Sequence, residues 1–221
     1  MGHDIFITGG TGYLGSRLIP LLLRRGHHVA ALARNGSEYK LPDGVEKIVA
    51  NPLRMRAYAK AVRGADTFVH LIGVAQPGRA KARQFREIDL VSVQVATHAA
   101  LEARVKHFIY VSVAQPALLR REYLAVRAEC ETILHASGLG ATFVRPWYVL
   151  GPGRRWPYAL LPLYWLGACL PATRASAKRL GLVTLPQMLN ALVWAVEHPP
   201  EDLQILEVPD IRAVPRTGSP A

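Results

Sequence analysis

The chain has 221 residues, of which 50% are hydrophobic and 19% are charged, and its formal net charge is +11. This length suits one α/β domain with a sizeable core and is too short for two full domains, and the composition excludes a disordered or fibrous chain. The basic excess is scattered in short arginine pairs without a recognition motif, so we expect no nucleic acid as a partner.

Cysteine content and apolar stretches bear on where the protein works. The two cysteines, Cys130 and Cys169, make no disulfide framework and fit a reducing compartment. The first residues lead straight into a predicted strand, without the pattern of a signal peptide. The most apolar stretch, 156–170, contains two prolines and is shorter than the roughly 20 residues of a membrane-spanning helix. These features predict a cytoplasmic protein.

Strands and helices alternate along the first two thirds of the chain. Pro20 lies inside the first helix and should bend it or loosen its middle, and Gly26 ends it. Such alternation predicts an α/β fold, a Rossmann-type doubly wound parallel sheet with helices on both faces. The patterns place strands at 4–8, 28–33, 46–50, 67–72, 107–112 and 141–145, and helices at 12–25, 83–103 and 118–136.

The alternation breaks after Pro146. Residues 152–182 are rich in Pro, Trp, Tyr and Leu, and we expect them to form a small C-terminal helical cap over the cleft at the carboxyl ends of the strands. A helix at 185–196 and a last strand at 204–208 follow. The prediction is one domain over 1–208 with a loose tail at 209–221.

A glycine-rich turn follows the first strand. Gly9 allows a sharp turn, Gly12 removes a Cβ where a pyrophosphate must approach the backbone, and Gly15 allows close helix packing. The helix that follows offers N–H groups and a positive dipole end to phosphates. This context predicts that the turn binds a dinucleotide through Gly9, Gly10, Thr11, Gly12, Tyr13, Leu14 and Gly15.

The end of the second predicted strand bears on which dinucleotide is preferred. Sites that prefer NAD usually carry an acidic residue there, whereas this chain has Ala33-Arg34-Asn35. A guanidinium at Arg34 can hold a 2′-phosphate with two hydrogen bonds and stack on adenine, which favours NADP(H) over NAD(H). In the alternative interpretation Arg34 is a solvated loop residue. Arg17, in the first turns of the helix after the glycine turn, is a secondary candidate for contact with the phosphate.

Several stretches together resemble a known family, the atypical branch of the short-chain dehydrogenase/reductases, with its epimerase/dehydratase-like and NmrA-like NAD(P)H-binding proteins. The resemblance covers nearly the whole chain, to about residue 208. It rests on ITGGTGYLG at 7–15, VAALARN at 29–35, VEKIVANPL at 45–53, FVHLIGV at 68–74, HFIYVS at 107–112, YLAVRAECE at 123–131 and FVRPWYVLGPG at 143–153.

The resemblance implies further contacts with the cofactor. An Asp and an apolar residue usually cover the adenine after the third strand, and here Asn51 stands in place of that Asp. The residues after the fourth strand should run beside the ribose and pyrophosphate, and a loop after the sixth strand should close over the nicotinamide. The implied contacts are Asn51, Pro52, Leu53, Leu71, Ile72, Gly73, Pro146, Trp147, Tyr148 and Val149.

The resemblance also implies catalytic residues, with one departure. Ser112 corresponds to the residue that binds the substrate oxygen, and Tyr123 to the residue that exchanges a proton. Arg127 stands where the family has a Lys that holds the ribose and lowers the pKa of the Tyr. Residues four apart share a helix face, so a positive charge at Arg127 would favour tyrosinate, although arginine cannot relay a proton. Alternatively, Arg127 pairs with Glu131 and Tyr123 is an ordinary half-buried aromatic residue.

Other reaction centres are not indicated. The histidines form no HExxH pattern and no Gly-x-Ser-x-Gly elbow occurs, so we expect neither a metal site nor a serine hydrolase.

Aromatic and apolar side chains of the cap would line a pocket for a small, largely apolar substrate, or would instead form a subdomain core. A third possibility is contact with a membrane surface or a protein partner through basic cap residues. The cap residues concerned are Trp156, Tyr158, Leu161, Tyr164, Trp165 and Leu166, and the basic ones are Arg154, Arg155, Arg174, Lys178 and Arg179.

Two functions follow from these features. The first is an NADP(H)-dependent oxidoreductase acting on a small, largely apolar carbonyl or enone. The second is a non-catalytic NAD(P)H-binding sensor or accessory subunit, like the NmrA-like sensors or the nucleotide-binding subunit of respiratory complex I. The absence of the family Lys favours this second function. The oligomeric state is left open.

Overall fold

The computed structural model describes residues 2–74, 82–114, 121–153 and 181–215. The predicted cap over 152–182 therefore lies outside the described residues, apart from two positions at each end. The aromatic and basic cap residues lie outside them as well.

The main sheet has seven parallel strands. They are β1 (Asp4–Thr8), β2 (His28–Ala33), β3 (Glu46–Val49), β4 (Thr67–His70), β5 (His107–Val111), β6 (Gly140–Val144) and β9 (Leu203–Leu206). Their spatial order is β3-β2-β1-β4-β5-β6-β9. Because the chain leaves β1 toward β2 on one side and later returns to β4 on the other, the order reverses between β1 and β4, where ligands bind in doubly wound folds.

Helices cover both faces of this sheet, which confirms the predicted fold. They are α1 (Gly15–Arg24), α2 (Ala59–Val62), α3 (Ala82–Gln84), α4 (Val91–Glu102), α5 (Arg121–Ala136), α6 (Leu185–Glu197) and α7 (Val208–Ala213). A π-helical segment, Phe85–Leu90, joins α3 to α4, and short 3₁₀ helices lie at Glu38–Lys40 and Met55–Ala57.

The alternation of side chains along β1 separates two cores. Ile5 and Ile7 pack into the core that contains α1 and α6, whereas Phe6 packs into the core that contains α2, α4 and α5. Phe6 pairs in register with Phe68, and Phe68 with Phe108. Their rings lie 5.2 and 4.9 Å apart. Because both faces of these strands are covered, the strands consist mostly of apolar residues.

Four details differ from the predictions. Helix α1 begins at Gly15 rather than Gly12, and it continues through Pro20 without interruption. The π-helical segment inside the predicted helix 83–103 was not expected. Strands β7 (Tyr148–Leu150) and β8 (Leu182–Thr184) form a separate parallel pair, although no strand was predicted there.

The fourth difference is the tail, for which the prediction of a loose segment from residue 209 is wrong over its first part. Helix α7 starts with Glu207 as its N-cap residue, and Glu207 and Asp210 exchange hydrogen bonds between side chain and backbone. Pro209 sits in the first turn, where its missing N–H costs nothing. Residues 216–221 lie outside the described part of the chain.

Within the described stretches, no helix combines the length and the apolar character needed to cross a membrane.

Candidate dinucleotide-binding cleft

A cavity of about 1070 Å³ lies at the carboxyl ends of β1, β2, β3 and β4. Its walls come from the glycine turn after β1, from the segments after β2, β3 and β4, and from the helical stretch around Ile88. Among its lining residues are the predicted cofactor contacts Gly9, Thr11, Gly12, Arg34, Asn51, Pro52, Leu53, Leu71, Ile72 and Gly73. The strand order brings these segments together although they are distant in sequence.

The three glycines of the turn, Gly9, Gly12 and Gly15, lack a side chain for different structural reasons. Gly9 has a φ of +78°, and a Cβ there would lie 2.8 Å from the carbonyl carbon of Leu71. A Cβ at Gly15 would overlap the backbone of Gly9 and Gly10. Among the described residues, a Cβ at Gly12 would meet only the carbonyl oxygen of Gly9, at 3.1 Å, within a radius of 4 Å. Gly9 and Gly15 are thus required by the fold, whereas Gly12 keeps space open over the turn.

This turn fits the diphosphate of a dinucleotide. The N–H of Gly12 donates to the carbonyl of Gly9 at 3.0 Å, which closes the turn immediately before α1. Helix α1 has no acidic residue in its first turn. A helix N-terminus without carboxylates favours an anion, and the space that a side chain at position 12 would fill is left to it.

Arg34 gives the cleft its charge. It is exposed after the last residue of β2, and it is the one charged side chain among the described residues that line the cavity. No carboxylate lines the cavity in the described stretches. A guanidinium without a neighbouring carboxylate attracts an anionic group of a ligand.

Asn51 holds the turn after β3. Its side-chain oxygen accepts a hydrogen bond of 2.9 Å from the N–H of Leu53. Since the oxygen has this partner, the amide nitrogen is the group that can donate to a base edge.

Other predicted contacts support the turn from outside the cavity lining. Gly10 is buried, and a Cβ there would lie 3.1 Å from Ile19. Leu14 packs against the core that contains α1. The guanidinium of Arg17 lies 4.4 Å over the ring of Tyr13 and donates to the carbonyl oxygen of Tyr13 at 2.8 Å. Arg17, the secondary candidate for phosphate contact, is thus engaged with the turn itself.

The stretch 146–149 differs from the expected loop over the nicotinamide. Pro146 is buried, and its carbonyl accepts from the N–H of Ala114 at 3.1 Å. Trp147 packs against the core, while Tyr148 and Val149 belong to β7 and pair with β8. None of the four lines the cavity. The tight approach of Gly151 to the hydroxyl of Tyr13 instead places β7 beside the glycine turn.

The predicted catalytic residues lie outside the cavity lining as well. Ser112 is 4% exposed, and its hydroxyl has no hydrogen-bond partner among the described residues. Tyr123 is half-buried, with its ring 5.2 Å from that of Phe85. Tyr123 thus packs against the residue that follows Gln84 of the cavity lining.

Arg127 is buried in an ion pair. Its Nη2 lies 3.1 Å from Oδ2 of Asp89, and the two side chains are 6% and 0% exposed. Its Nη1 donates to the hydroxyl of Tyr110 at 2.9 Å and to the carbonyl of Val111 at 3.0 Å. This arrangement does not favour the expected contact with the ribose.

The alternative interpretation, in which Arg127 pairs with Glu131, is wrong. Glu131 is taken by Arg145, whose Nε and Nη2 reach the two carboxylate oxygens at 2.9 and 2.5 Å. Arg127 and Glu131 are neighbours along α5, but each forms its ion pair with a residue outside this helix. Arg127 pairs with Asp89, and Glu131 pairs with Arg145.

A polar chain that sequence reasoning missed runs behind the cleft. Thr8 lies 2.8 Å from Nδ1 of His70, and Nε2 of His70 lies 3.2 Å from the hydroxyl of Ser92. That hydroxyl donates to the carbonyl of Asp89 at 2.9 Å, so it accepts from Nε2–H of His70. Nδ1 then accepts from Thr8. The signal in the sequence was a polar residue inside an apolar run, at His70 and again at Asp89.

The pKa values of the buried groups are consistent with a neutral imidazole at His70. Burial, together with the charge of Arg127, lowers the pKa of His70 to about 3. Burial raises the pKa of Asp89, while Arg127 and the N–H of Val74 oppose that rise. The carboxylate therefore depends on the guanidinium beside it.

Metal ligands are not gathered anywhere in 2–74, 82–114, 121–153 or 181–215: no group of three or more His, Cys, Asp or Glu side chains is placed to hold an ion.

The fold and cleft define a dinucleotide-binding protein of the Rossmann type. A family model described as NAD(P)H-binding matches residues 9–154. The chain therefore belongs to this NAD(P)H-binding family, and its similarity to short-chain dehydrogenase/reductases and to NAD-dependent epimerases is confirmed.

Two relatives illustrate the family. A 4-hydroxy-2-methyl-3-oxo-4-farnesyl-3,4-dihydroquinoline-1-oxide ketoreductase of Stigmatella aurantiaca is 27% identical over 168 residues, which is 66% of this chain and 50% of that protein. A ceramide reductase of Caulobacter vibrioides is 25% identical over 210 residues, which is 94% of this chain and 65% of that protein. The chain thus spans between half and two thirds of the length of these relatives.

A solved structure shows the same fold. The Bordetella bronchiseptica enzyme WbmH, in complex with NAD+, superimposes with a TM-score of 0.68 at 19% identity, covering 93% of this chain and 75% of that one.

Proposed function

We propose that this protein is an NADP(H)-dependent reductase of a largely apolar carbonyl or enone. The observation that carries the cofactor preference is the charge of the cleft. Arg34 lines it and no carboxylate does, among the described residues. A guanidinium at the end of β2 recognises the 2′-phosphate that distinguishes NADP from NAD.

The reduction divides between cofactor and protein. The dinucleotide, when bound, supplies the hydride. In this proposal Tyr123 gives a proton to the substrate oxygen, and Ser112 donates a hydrogen bond to the same oxygen. The hydroxyl of Ser112 supports this role, because it is buried without a partner in the described part of the chain.

The names of the relatives support an apolar substrate. Both the farnesyl-bearing quinoline substrate and ceramide contain long hydrocarbon groups, and both relatives are reductases. A reductase that acts on such molecules needs an apolar wall beside the nicotinamide. The aromatic cap residues from Trp156 to Leu166, which the sequence predicts as the source of such a wall, lie outside the described residues.

A titration tests the cofactor preference. We expect Arg34→Ala to raise the Kd for NADPH roughly tenfold, which is the loss of about 1.4 kcal/mol, and to leave the Kd for NADH unchanged. Arg63→Ala is the control, because it removes the same charge from an exposed position outside the cleft lining. Equal affinities of the wild type for NADPH and NADH, unaltered in Arg34→Ala, would refute the preference.

A non-catalytic binding protein is the second candidate, favoured by one observation. Arg127 stands at the position of the family Lys, and its guanidinium is buried against Asp89. Incubation with NADPH and a panel of apolar ketones and enones separates the two candidates. Steady oxidation of NADPH supports the reductase. A retained nucleotide that is never oxidised, together with a stoichiometric partner in a pull-down, supports the binding protein.

A further inference from the structure

We propose that Arg127 and Asp89 are positioning residues that hold the wall of the cleft formed by residues 71–74, and that Arg127 does not itself contact the cofactor. The proposal rests on the proposed function in one respect, that this cleft takes the dinucleotide. It assigns to the buried pair a role in cofactor affinity that acts through the backbone.

The cleft wall is held at both ends. Strand β4 ends at His70, so residues 71–74 lie beyond the sheet although all four line the cavity. The N–H of Leu71 donates to the carbonyl of Thr8 at 3.0 Å. The N–H of Val74 donates to Oδ1 of Asp89 at 2.8 Å. One carboxylate therefore holds the far end of this segment.

Arg127 braces the same segment from behind. A Cβ at Gly73 would overlap Nη2 of Arg127, so the guanidinium packs directly against the backbone of the wall. Gly73 is exposed to the cavity, whereas the side chain of Arg127 is 6% exposed and is not part of the lining. The glycine backbone thus lies between the guanidinium and the cavity.

Arg127 and Asp89 connect three elements of the fold, and we call this buried pair with its hydrogen bonds the bracket. Asp89 comes from the π-helical segment, Arg127 from α5, and Tyr110 and Val111, which accept from Nη1 of Arg127, from β5. Each charge is buried, so each depends on the other. Removal of one partner leaves an uncompensated buried charge, whereas removal of both charges does not.

Affinities of single and double variants test the bracket. We expect Arg127→Met to raise the Kd for NADPH roughly tenfold, a loss of about 1.4 kcal/mol. In the double variant Arg127→Met/Asp89→Asn the Kd should recover toward that of the wild type, because Asn keeps an oxygen for the N–H of Val74 and no charge remains unpaired. If the guanidinium contacted the cofactor directly, the double variant would bind as weakly as Arg127→Met, and that result would overturn the proposal.

Hydrogen exchange tests the bracket without any nucleotide. Peptides that cover 71–74 should exchange faster in Arg127→Met than in the wild type. Arg25→Met is the matched control, since Arg25 makes a two-bond ion pair with Glu197 at 2.5 and 2.9 Å outside the cleft lining. This control should change neither exchange at 71–74 nor the Kd.

The two proposals fail in different ways. Faster exchange at 71–74 in a chain that binds no dinucleotide would refute the proposed function and leave the bracket standing. If Arg127→Met shows unchanged exchange at 71–74 and a normal Kd for NADPH, the bracket is refuted and the proposed function is not. If Arg127→Met does not fold, Arg127→Lys replaces it, because a single ammonium keeps the charge but cannot match the fork geometry of the guanidinium. Normal exchange and a normal Kd in Arg127→Lys would equally overturn the proposal.

Discussion

The two ends of the cleft are built on different principles. The end at the glycine turn is open and is lined by backbone, by uncharged side chains and by one arginine, Arg34, among the described residues. The end next to residues 71–74 backs onto a buried polar cluster that includes His70, Asp89 and Arg127. The first end presents backbone and a charge to a ligand. At the second end most polar groups pair with one another, while the hydroxyl of Ser112 has no partner among the described residues.

This difference shows that the two ends constrain the chain differently. At the glycine turn the backbone conformation itself gives residues a role, as the positive φ of Gly9 does. At the other end a residue has its role only through distant partners, as Arg127 does through Asp89. Substitutions at the open end should therefore change affinity, and substitutions at the buried end should change reactivity or stability as well.

The largest expected effect is on turnover at the buried end. Tyr123→Phe should lower kcat for a carbonyl substrate by about 10²–10⁴-fold, the range for loss of a general acid. The Kd for NADPH should stay unchanged, since Tyr123 does not line the cavity. Tyr39→Phe removes a hydroxyl from an exposed position outside the cavity lining and serves as the control. Unchanged turnover in Tyr123→Phe would remove this residue from the mechanism.

A side chain at Gly12 should affect binding alone. In Gly12→Val the Kd for both dinucleotides should rise roughly ten- to hundredfold, as overpacking costs about 1–3 kcal/mol. The sheet should remain folded, because the carbonyl of Gly9 is the one group of the described chain that a Cβ there would meet. Gly9→Ala is the contrasting variant and should lower the thermal midpoint too, because its φ is +78°. A Gly12→Val protein with wild-type affinity would contradict the diphosphate site.

Acidification should destabilise the buried end. Burial holds the pKa of His70 at about 3 in the folded protein, below its ordinary value of 6.5. The unfolded chain therefore binds the proton first, and the stability that His70 contributes above pH 6.5 is lost as the pH falls below that value. Between pH 7 and pH 5 this loss is about 2 kcal/mol for one such group.

Urea denaturation at the two pH values measures this loss. His70→Gln should reduce the difference between them, whereas His28→Gln, at an exposed position, should not. An unchanged pH dependence in His70→Gln would show that His70 is accessible to protons in the folded state.

The smallest expected effect lies at the adenine end. Asn51→Ala should weaken NADPH and NADH binding equally, by a few-fold, since a neutral hydrogen bond contributes about 0.5–1.5 kcal/mol. Asn51→Asp retains an oxygen for the N–H of Leu53 but loses the amide donors. If Asn51→Asp binds as the wild type does, Asn51 serves only the turn.

The open end of the cleft could be predicted from the sequence because its rules are local. Gly9, Gly12 and Gly15 follow an apolar strand and precede a helix, and this order alone predicted the turn that the structure shows. The alternation of strands and helices predicted the parallel sheet, because strands covered on both faces are continuously apolar. Arg34 was located by its distance along the chain from the glycine turn.

Tertiary structure decided what the local pattern could not contain. The pattern along α5 placed Arg127 beside Glu131, but in the folded chain Arg127 pairs with Asp89 and Glu131 pairs with Arg145. A buried charge needs an opposite charge beside it, and that partner can come from any element of the fold. The helix at 208–213 formed because Glu207 and Asp210 cap it, although Pro209 suggested a loose tail. The sequence by itself thus determined the sheet and the glycine turn, where backbone conformation governs. Only the folded chain determined which buried charges meet, since that depends on contacts between segments far apart in sequence.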